Sequence, residues 1–196
     1  PENCHVFYDP QKFNQRFYHY EMDRDLLLNG GCAFISWGEI KDSRVIKPIF
    51  IKPSSDLKYF AGRVLQPTND QTIHNLLSEV TYFDADLNDD IDVLVNTNLY
   101  TIDSEYRVFV INNEVVGISQ YMKNGKVTPC AVNMQEYCVI TEFVQEVQQQ
   151  YEPHNHYVID VCYVDEQLYV MEFNCINCSG MYEVNRADVY RKYLEL

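Results

Sequence analysis

A chain of 196 residues, 46% of them apolar, can bury a core and fits one domain or two small lobes. Its 29 Asp and Glu against 15 Lys and Arg give a formal net charge of −14. That balance disfavours general nucleic-acid binding, although a local basic cleft can still hold phosphates. No apolar run of about 18 residues or more is present, so no membrane-spanning helix is expected, and no secretory leader is visible.

Pro1 in place of Met is expected of a trimmed or processed chain. Val6-Phe7-Tyr8 reads as a short extended start. Asp9-Pro10 offers a helix N-cap and first position, with Phe13, Phe17 and Tyr20 following at helical spacing. Asp23 to Leu28 reads as a second short helix stopped by Asn29-Gly30-Gly31. Cys32 to Ile35 is a strand, and Ser36 caps a turn of helix from Trp37 to Ile40. Pro48 to Pro53 is a strand with Lys52 near its end, followed by a polar loop from Ser54 to Leu65 that carries Lys58 and Arg63. These three cations admit two readings: solvated surface charge, or an anion site in which ammonium and guanidinium groups clamp phosphate oxygens. Asp70 to Leu77 is a helix capped by Asn69 or Asp70. The acidic run Asp84 to Asp92 begins like a calcium loop. The position that requires Gly is Asp89, however, and the closing Glu position is Val95, so it is read as a solvated loop. Val93 to Asn96 is a short strand, and Thr97 to Asp103 leads to a hairpin.

Glu105 to Ile111 and Glu114 to Tyr121 flank Asn112-Asn113, a pattern for a type I′ hairpin. That register sets Arg107 opposite Ile118 and Glu105 opposite Gln120, with Glu105, Arg107 and Gln120 on one face. Arg107 inside an apolar strand reads first as a structural ion pair with Glu105 or another acid. Gln135 to Gln150 is an amphipathic helix with Tyr137, Ile140, Phe143, Val144 and Val147 as its buried stripe. Tyr157 to Cys162 and Leu168 to Asn174 form a second hairpin about Asp165-Glu166-Gln167. A three-residue turn there sets Val164 opposite Leu168 and Asp160 opposite Glu172, so Asp160, Glu172 and Asn174 share a face. Two acids and an amide oxygen are costly to bury without a partner, and oxygen-only ligands suit a hard cation such as magnesium. The plain alternative is a solvent-facing polar row on an edge hairpin. Cys175-Ile176-Asn177-Cys178 is a C-x-x-C with no second ligand pair at zinc spacing. Seven Cys, odd in number and scattered, are read as inert thiols of a reducing, cytoplasmic compartment. Asn185 caps a closing helix with Val189 and Tyr193 inward. The whole pattern reads as α+β.

In their order these features resemble the ATP-grasp domain of carboxylate–amine ligases, and are most similar to the clade, widespread in phages and bacteria, that is named for its Arg and Lys residues. The resemblance rests on Phe50-Ile51-Lys52-Pro53 with Asp56, Lys58, Phe60 and Gly62, on Glu105-Tyr106-Arg107, on Ser119-Gln120-Tyr121, on Tyr157-Val158-Ile159-Asp160, and on Glu172-Phe173-Asn174 with Ser179-Gly180. Asp9-Pro10 and Ser36-Trp37-Gly38-Glu39 look like the clade's lead-in, so the resemblance covers most of the chain. It implies an ATP-grasp fold of two α+β lobes with ATP held between them. Residues 1–47 would be a lead-in, a remnant of a preceding domain. Residues 48–196 would be the ATP-grasp domain, with a small lobe at about 48–96 and a large lobe at about 97–196.

The resemblance also implies ATP and Mg2+ as cofactors. Val93, Val95 and Asn96 would lie in the linker that presents backbone groups to adenine. Lys52 and Lys58 would hold the phosphates, and Asp160, Glu172 and Asn174 would hold one or two magnesium ions. Arg107, beside Glu105 and Gln120, would stabilise the transferred phosphoryl group or the acyl phosphate, making Arg107 and Lys58 the catalytic cations. Arg186, Ser179 and Asn177 would sit near the acceptor. The implied reaction activates a small-molecule or peptide carboxylate as acyl phosphate, which an amine then displaces. The alternatives are a kinase on the same fold and a non-catalytic nucleotide-binding or interaction module. Two features depart from the pattern: only about fifty residues precede Lys52, and the loop after it lacks a Gly-rich run, leaving Ser54-Ser55 to cover phosphate.

Overall fold

Pairs of turn residues in the left-handed region close the two long hairpins of this chain. Asn112 and Asn113 have φ of 52° and 62°, and Asp165 and Glu166 have φ of 49° and 66°. Such turns match the right-handed twist of the strands they join, and Asn and Asp tolerate them best among non-glycine residues. The computed structural model describes residues 8–55, 57, 59–79 and 87–195. Val6, Phe7, Asp56, Lys58 and Asp84 to Asp86, which carry expectations from the sequence, lie outside the described residues.

In chain order the elements are α1 (Gln15–Glu21), a 3-10 turn (Arg24–Leu26), β1 (Ala33–Ser36), α2 (Trp37–Ile40), β2 (Ile49–Pro53), β3 (Arg63–Leu65), α3 (Ile73–Ser78), β4 (Asp92–Asn96), β5 (Ser104–Ile111), β6 (Glu114–Lys123), β7 (Lys126–Ala131), α4 (Met134–Gln148), β8 (His156–Val164), β9 (Gln167–Asn174), a second 3-10 turn (Ile176–Cys178) and α5 (Arg186–Leu194). Helices with two antiparallel sheets make the α+β class expected from the sequence. The chain divides into two units. The residues expected as a lead-in are shared between both units.

One unit, Asn14–Phe17 with Gly31–Leu99, holds a four-stranded sheet in the order β1-β4-β2-β3. Ser36 and Glu39 form a capping box at α2, in which each side chain meets the other's backbone N–H. Trp37, Ile51, Phe60, Ile73, Leu77 and Val93 belong to its core. α3 starts later than the sequence indicates. Thr72 is its N-cap, accepting from the Asn75 N–H, in place of Asn69 or Asp70. β3 lies in the stretch that reads as loop, pairing Arg63 with Ile51.

The other unit, Tyr18–Gly30 and Tyr100 onward with the described residues up to Phe13, holds a five-stranded antiparallel sheet in the order β7-β6-β5-β8-β9. Asp9 closes only a turn, its carboxylate accepting from the Gln11 N–H. The helix begins at Gln15, and the buried positions are Phe13, Tyr18 and Met22, while Tyr20 is exposed. On β9, Phe173 points to one side, into Tyr18 and Tyr151 at ring separations of 5.0 and 5.3 Å. Glu172 and Asn174 therefore point to the other. Asn133 and Glu136 box the start of α4, whose buried stripe is Ile140, Val144 and Val147, with Tyr137 and Phe143 half-buried. Asn185 caps α5 as expected, and Val189 packs with Phe109, Ile111 and Val158. β7 is an element the sequence reading lacks. Its turn is Asn124-Gly125, at φ of 49° and 70°, and Pro129 is tolerated because the strand is an exposed edge.

Two outcomes follow from this packing. A Cβ on Gly117 would overlap Cγ1 of Val184, a β-branched side chain buried in the α5 cluster. Gly117→Ala is expected to destabilise the fold by about 1–3 kcal/mol in urea titrations. His156 is buried and accepts at Nδ1 from the Asn112 N–H of the hairpin turn. Burial, reinforced by His154, holds its pKa below the usual value. The unfolded chain then takes up a proton that the folded one refuses, so stability falls as pH drops through about 6.5 and below. His156→Asn should flatten that dependence in the same titrations.

Candidate functional site

The hairpin β8–β9 has a two-residue turn, not the three-residue turn read from the sequence. Val164 pairs with Gln167 and Tyr163 with Leu168. Continued without interruption, this register would set Asp160 against Met171. A β-bulge between Asp160 and Val161 inserts one residue on β9 and restores the pairing of Asp160 with Glu172. The expected face is thus formed by a different route. Asn174 meets both acids: its Nδ2 lies 3.2 Å from Asp160 Oδ2 and 3.2 Å from Glu172 Oε1.

β5 lies on the other side of β8 and brings Arg107 directly beside Asp160. The guanidinium forks onto the carboxylate, with Nε 2.9 Å from Oδ1 and Nη2 2.7 Å from Oδ2. Asp160 is 2% exposed and the Arg107 side chain 14%. Arg107 is clamped further by aromatic rings. Tyr121 and Tyr182 stack at 5.3 Å and 12°, and the guanidinium carbon sits 5.5 and 5.4 Å from their centroids. Arg107 Nη1 also reaches the Gly180 carbonyl at 3.5 Å.

Glu105 shares the face of Arg107 but does not pair with it. Its carboxylate accepts from the Tyr121 hydroxyl at 2.6 Å. Gln120 is a correction. Bulges in β6 set Tyr106 opposite Gln120, Arg107 opposite Ser119 and Glu105 opposite Met122. Gln120 therefore points away from Arg107 and donates to the Thr128 carbonyl. The extra residue brings Tyr121 to the functional face in its place. Tyr121 belongs to a recognised segment, but only the bulge reveals its direction. Tyr182 carries no sequence signal, and its φ of 47° aims it from an irregular turn.

The face holds three carboxylates, Asp160, Glu172 and Glu105, against one guanidinium. Burial pushes the Asp160 carboxyl up to about 6; Arg107 opposes the rise, and the charges of Glu172 and Glu105 add to it. Burial and the Glu172 charge also raise Glu105, against the Tyr121 hydrogen bond. Burial and the adjacent acids keep Tyr121 a hydroxyl donor.

In the four-stranded sheet, Lys52 lies near the end of β2, and a Cβ on Gly62 would come within 3.1 Å of the Lys52 Cβ. Val93 and Val95 pair with β1 on one side and β2 on the other. Their backbone groups are spent within the sheet, which corrects the expectation that they face a ligand. Asn96 pairs only with β2, and its carboxamide oxygen accepts from the Asn98 N–H at 2.9 Å. Asn177, Ser179 and Arg186 line a separate cavity. Cys175 is a buried free thiol.

Removing one partner of a buried ion pair strands the other. Arg107→Met is expected to cost about 3–5 kcal/mol, and the double variant Arg107→Met with Asp160→Leu markedly less, in a double-mutant cycle of urea midpoints.

The family that matches is the ATP-grasp domain, family 2 of the clade named for Arg and Lys, over residues 34–192. No curated protein matches the sequence. Among solved structures, D-alanine–D-alanine ligase from Helicobacter pylori is similar at a TM-score of 0.60 and 12% identity, covering 95% of this chain. D-alanine–D-alanine ligase from Bacillus anthracis complexed with ATP is similar at 0.57 and 12%, covering 94%. The ATP-grasp ligase PsnB, complexed with a phosphomimetic variant of its minimal precursor, Mg and ADP, is similar at 0.54 and 12%, covering 94%. The chain spans 59% of the length of each. These likenesses concern the fold. The match over 34–192, more than half of the chain, establishes that it belongs to the ATP-grasp domain family of the Arg-and-Lys clade.

Proposed function

We propose that this chain is the ATP-grasp portion of an ATP- and magnesium-dependent carboxylate–amine ligase. The observation that carries the reading is the convergence of Asp160, Glu172 and Asn174 on one sheet face beside the clamped Arg107.

The donor set fits magnesium, which is held by one or two carboxylates and completes its shell with substrate phosphates and water. Among the described residues no three carboxylate, imidazole or thiol groups gather as a full cage, so phosphates and water would complete the shell of an ion held here. The excess of carboxylate over guanidinium on this face is relieved by a divalent cation. Asp160 and Glu172 would hold it, with Asn174 bridging them. The bound ion would neutralise charge on the phosphates during transfer. Lys52 and Lys58 hold phosphate oxygens as compact cations. Arg107, anchored by Asp160 and the two tyrosines, keeps one edge of its guanidinium for charge that develops on the transferred group. The strand end at Asn96 takes the adenine-facing role in place of Val93 and Val95.

In the reaction a carboxylate oxygen attacks the γ-phosphorus and ADP leaves. The amine nitrogen then attacks the acyl carbon, phosphate leaves, and the nitrogen gives up a proton. The substrates are a small-molecule or peptide carboxylate and an amine.

Calorimetric titration of ATP with and without magnesium tests the site. Binding is expected to need magnesium and to weaken at least about tenfold in Glu172→Gln and in Asp160→Asn, which keeps the shape of the buried group. ATP that binds equally with chelator, or equally to both variants, sinks the metal assignment. In turnover, ADP and phosphate should appear in equal amounts, and only with acid and amine both present. A phosphorylated product without phosphate release would instead identify a kinase.

A further inference from the structure

The loop after β9 has two sides. The Gly180 carbonyl and the Tyr182 ring meet Arg107. Asn177, Ser179 and Met181 instead line a cavity of about 500 Å³, to which α5 contributes Arg186, Tyr190 and Tyr193. Among the described residues Arg186 forms no ion pair or hydrogen bond. The nearest acid in sequence, Asp188, accepts from the Asn185 amide at 2.7 Å and from Arg191 at 3.0 Å. A guanidinium without an acid is a rare condition in a chain of charge −14.

We infer that this cavity binds the free carboxylate of an amino acid or short peptide, held by Arg186. The inference rests on the ligase reading and deepens it: the acceptor amine is an amino acid or peptide that keeps its own carboxylate, and simple amines are excluded. A cavity of this size suits a small ligand. The guanidinium fork matches a carboxylate in two parallel hydrogen bonds. One guanidinium balances a monoanion, whereas a phosphate dianion would need a second cation that the cavity lacks among the described residues. Met181 and the two tyrosine rings supply apolar wall for a side chain. Ser179 donates its hydroxyl to the Cys175 carbonyl at 3.0 Å, which leaves its oxygen free to accept. An ammonium or amide N–H finds that acceptor one residue from Gly180, whose carbonyl touches Arg107. Carboxylate and amine of one ligand are thus held at opposite ends, the amine toward the hairpin.

The test is amide-resolved NMR of the whole chain, titrated with L-alanyl-L-phenylalanine, its C-terminal amide, acetate and inorganic phosphate. The free dipeptide is expected to shift backbone amides between residues 176 and 193 saturably in the millimolar range. The C-terminal amide should bind at least tenfold more weakly. Arg186→Gln should reduce the dipeptide to the level of its amide, and Arg186→Lys should recover part of the loss. Arg186 is exposed, so thermal unfolding of both variants should match the parent. The inference is overturned by equal binding of acid and amide, by no saturable shift, by an unaffected Arg186→Gln, or by phosphate binding tighter than the dipeptide. Magnesium-dependent ATP binding is measured alongside. Its loss with dipeptide selectivity intact sinks the ligase reading alone, and its presence without selectivity sinks the cavity assignment alone.

Discussion

One inserted residue on β9 decides what faces Asp160. Side chains on a strand alternate, so a slip of one position exchanges the two faces. The Asp165-Glu166 turn alone would set Asp160 against Met171 and send Glu172 and Asn174 among the aromatic rings that surround Phe173. The bulge reverses this and lets the tight turn and the polar face coexist. β6 uses the same device, where an extra residue turns Tyr121 rather than Gln120 toward Arg107. Both irregularities border the polar face, while the ladder between β5 and β8 runs without interruption. The regular pair fixes Arg107 against Asp160, and the bulges on either side bring Tyr121, Glu172 and Asn174 to it.

The pair itself is a costly element. Two charges withdrawn from water lose several kcal/mol of hydration each, and good geometry repays this only in part. The forked hydrogen bonds of Arg107 and the ring faces of Tyr121 and Tyr182 compensate its lost hydration. Asp160 is compensated less completely, because Glu172 and Glu105 raise the potential against a second negative charge, and its carboxyl is pushed up accordingly. A fold selected for stability alone would do better with apolar residues here. Retaining three acids around one guanidinium is the mark of a surface held ready for a cation that the chain does not itself supply.

Much of this is legible in the sequence because the relevant patterns are local. Asn112-Asn113, the capping pairs at Ser36 and Asn133, and the polar residues inside apolar strands all act over a few positions. Arg107 stands out inside its apolar strand, and Asp160 falls opposite Glu172 even from a wrong turn length. What fails to show is long-range. A bulge leaves no mark in hydrophobic periodicity, so periodicity alone puts Gln120 on the wrong face. Val93 and Val95 read as a ligand-facing linker because nothing in four residues tells that neighbouring strands flank both sides. β7 escapes notice although Asn124-Gly125 is a strong turn signal, since an exposed edge strand with Pro129 lacks the apolar alternation that would complete the pattern. The acid partner of Arg107 is equally hidden, because Glu105 is close by on the same strand while Asp160 lies 53 residues away.

Cation placement separates structural from chemical roles more sharply than cation number. With acids outnumbering bases by about two to one, an exposed Lys or Arg has an acid available almost anywhere. Arg16 with Asp92, Lys41 with Asp89, Arg191 with Asp188 and Lys192 with Glu114 all take that option. Such surface pairs are worth little and can be exchanged freely. Arg107 differs because its pair is buried and its position is fixed from four directions, which suits a charge that must not move during a reaction. Arg186 differs in the opposite sense. It stands beside a cavity with the nearest acid already engaged, so its field is not cancelled within the described protein and is available to a ligand. The segment from Cys175 to Tyr182 connects the two, with Gly180 and Tyr182 against one guanidinium and Ser179 and Met181 toward the other. A ligand anchored at Arg186 would therefore be positioned by the same short loop that buttresses Arg107, which makes recognition and chemistry depend on one backbone conformation.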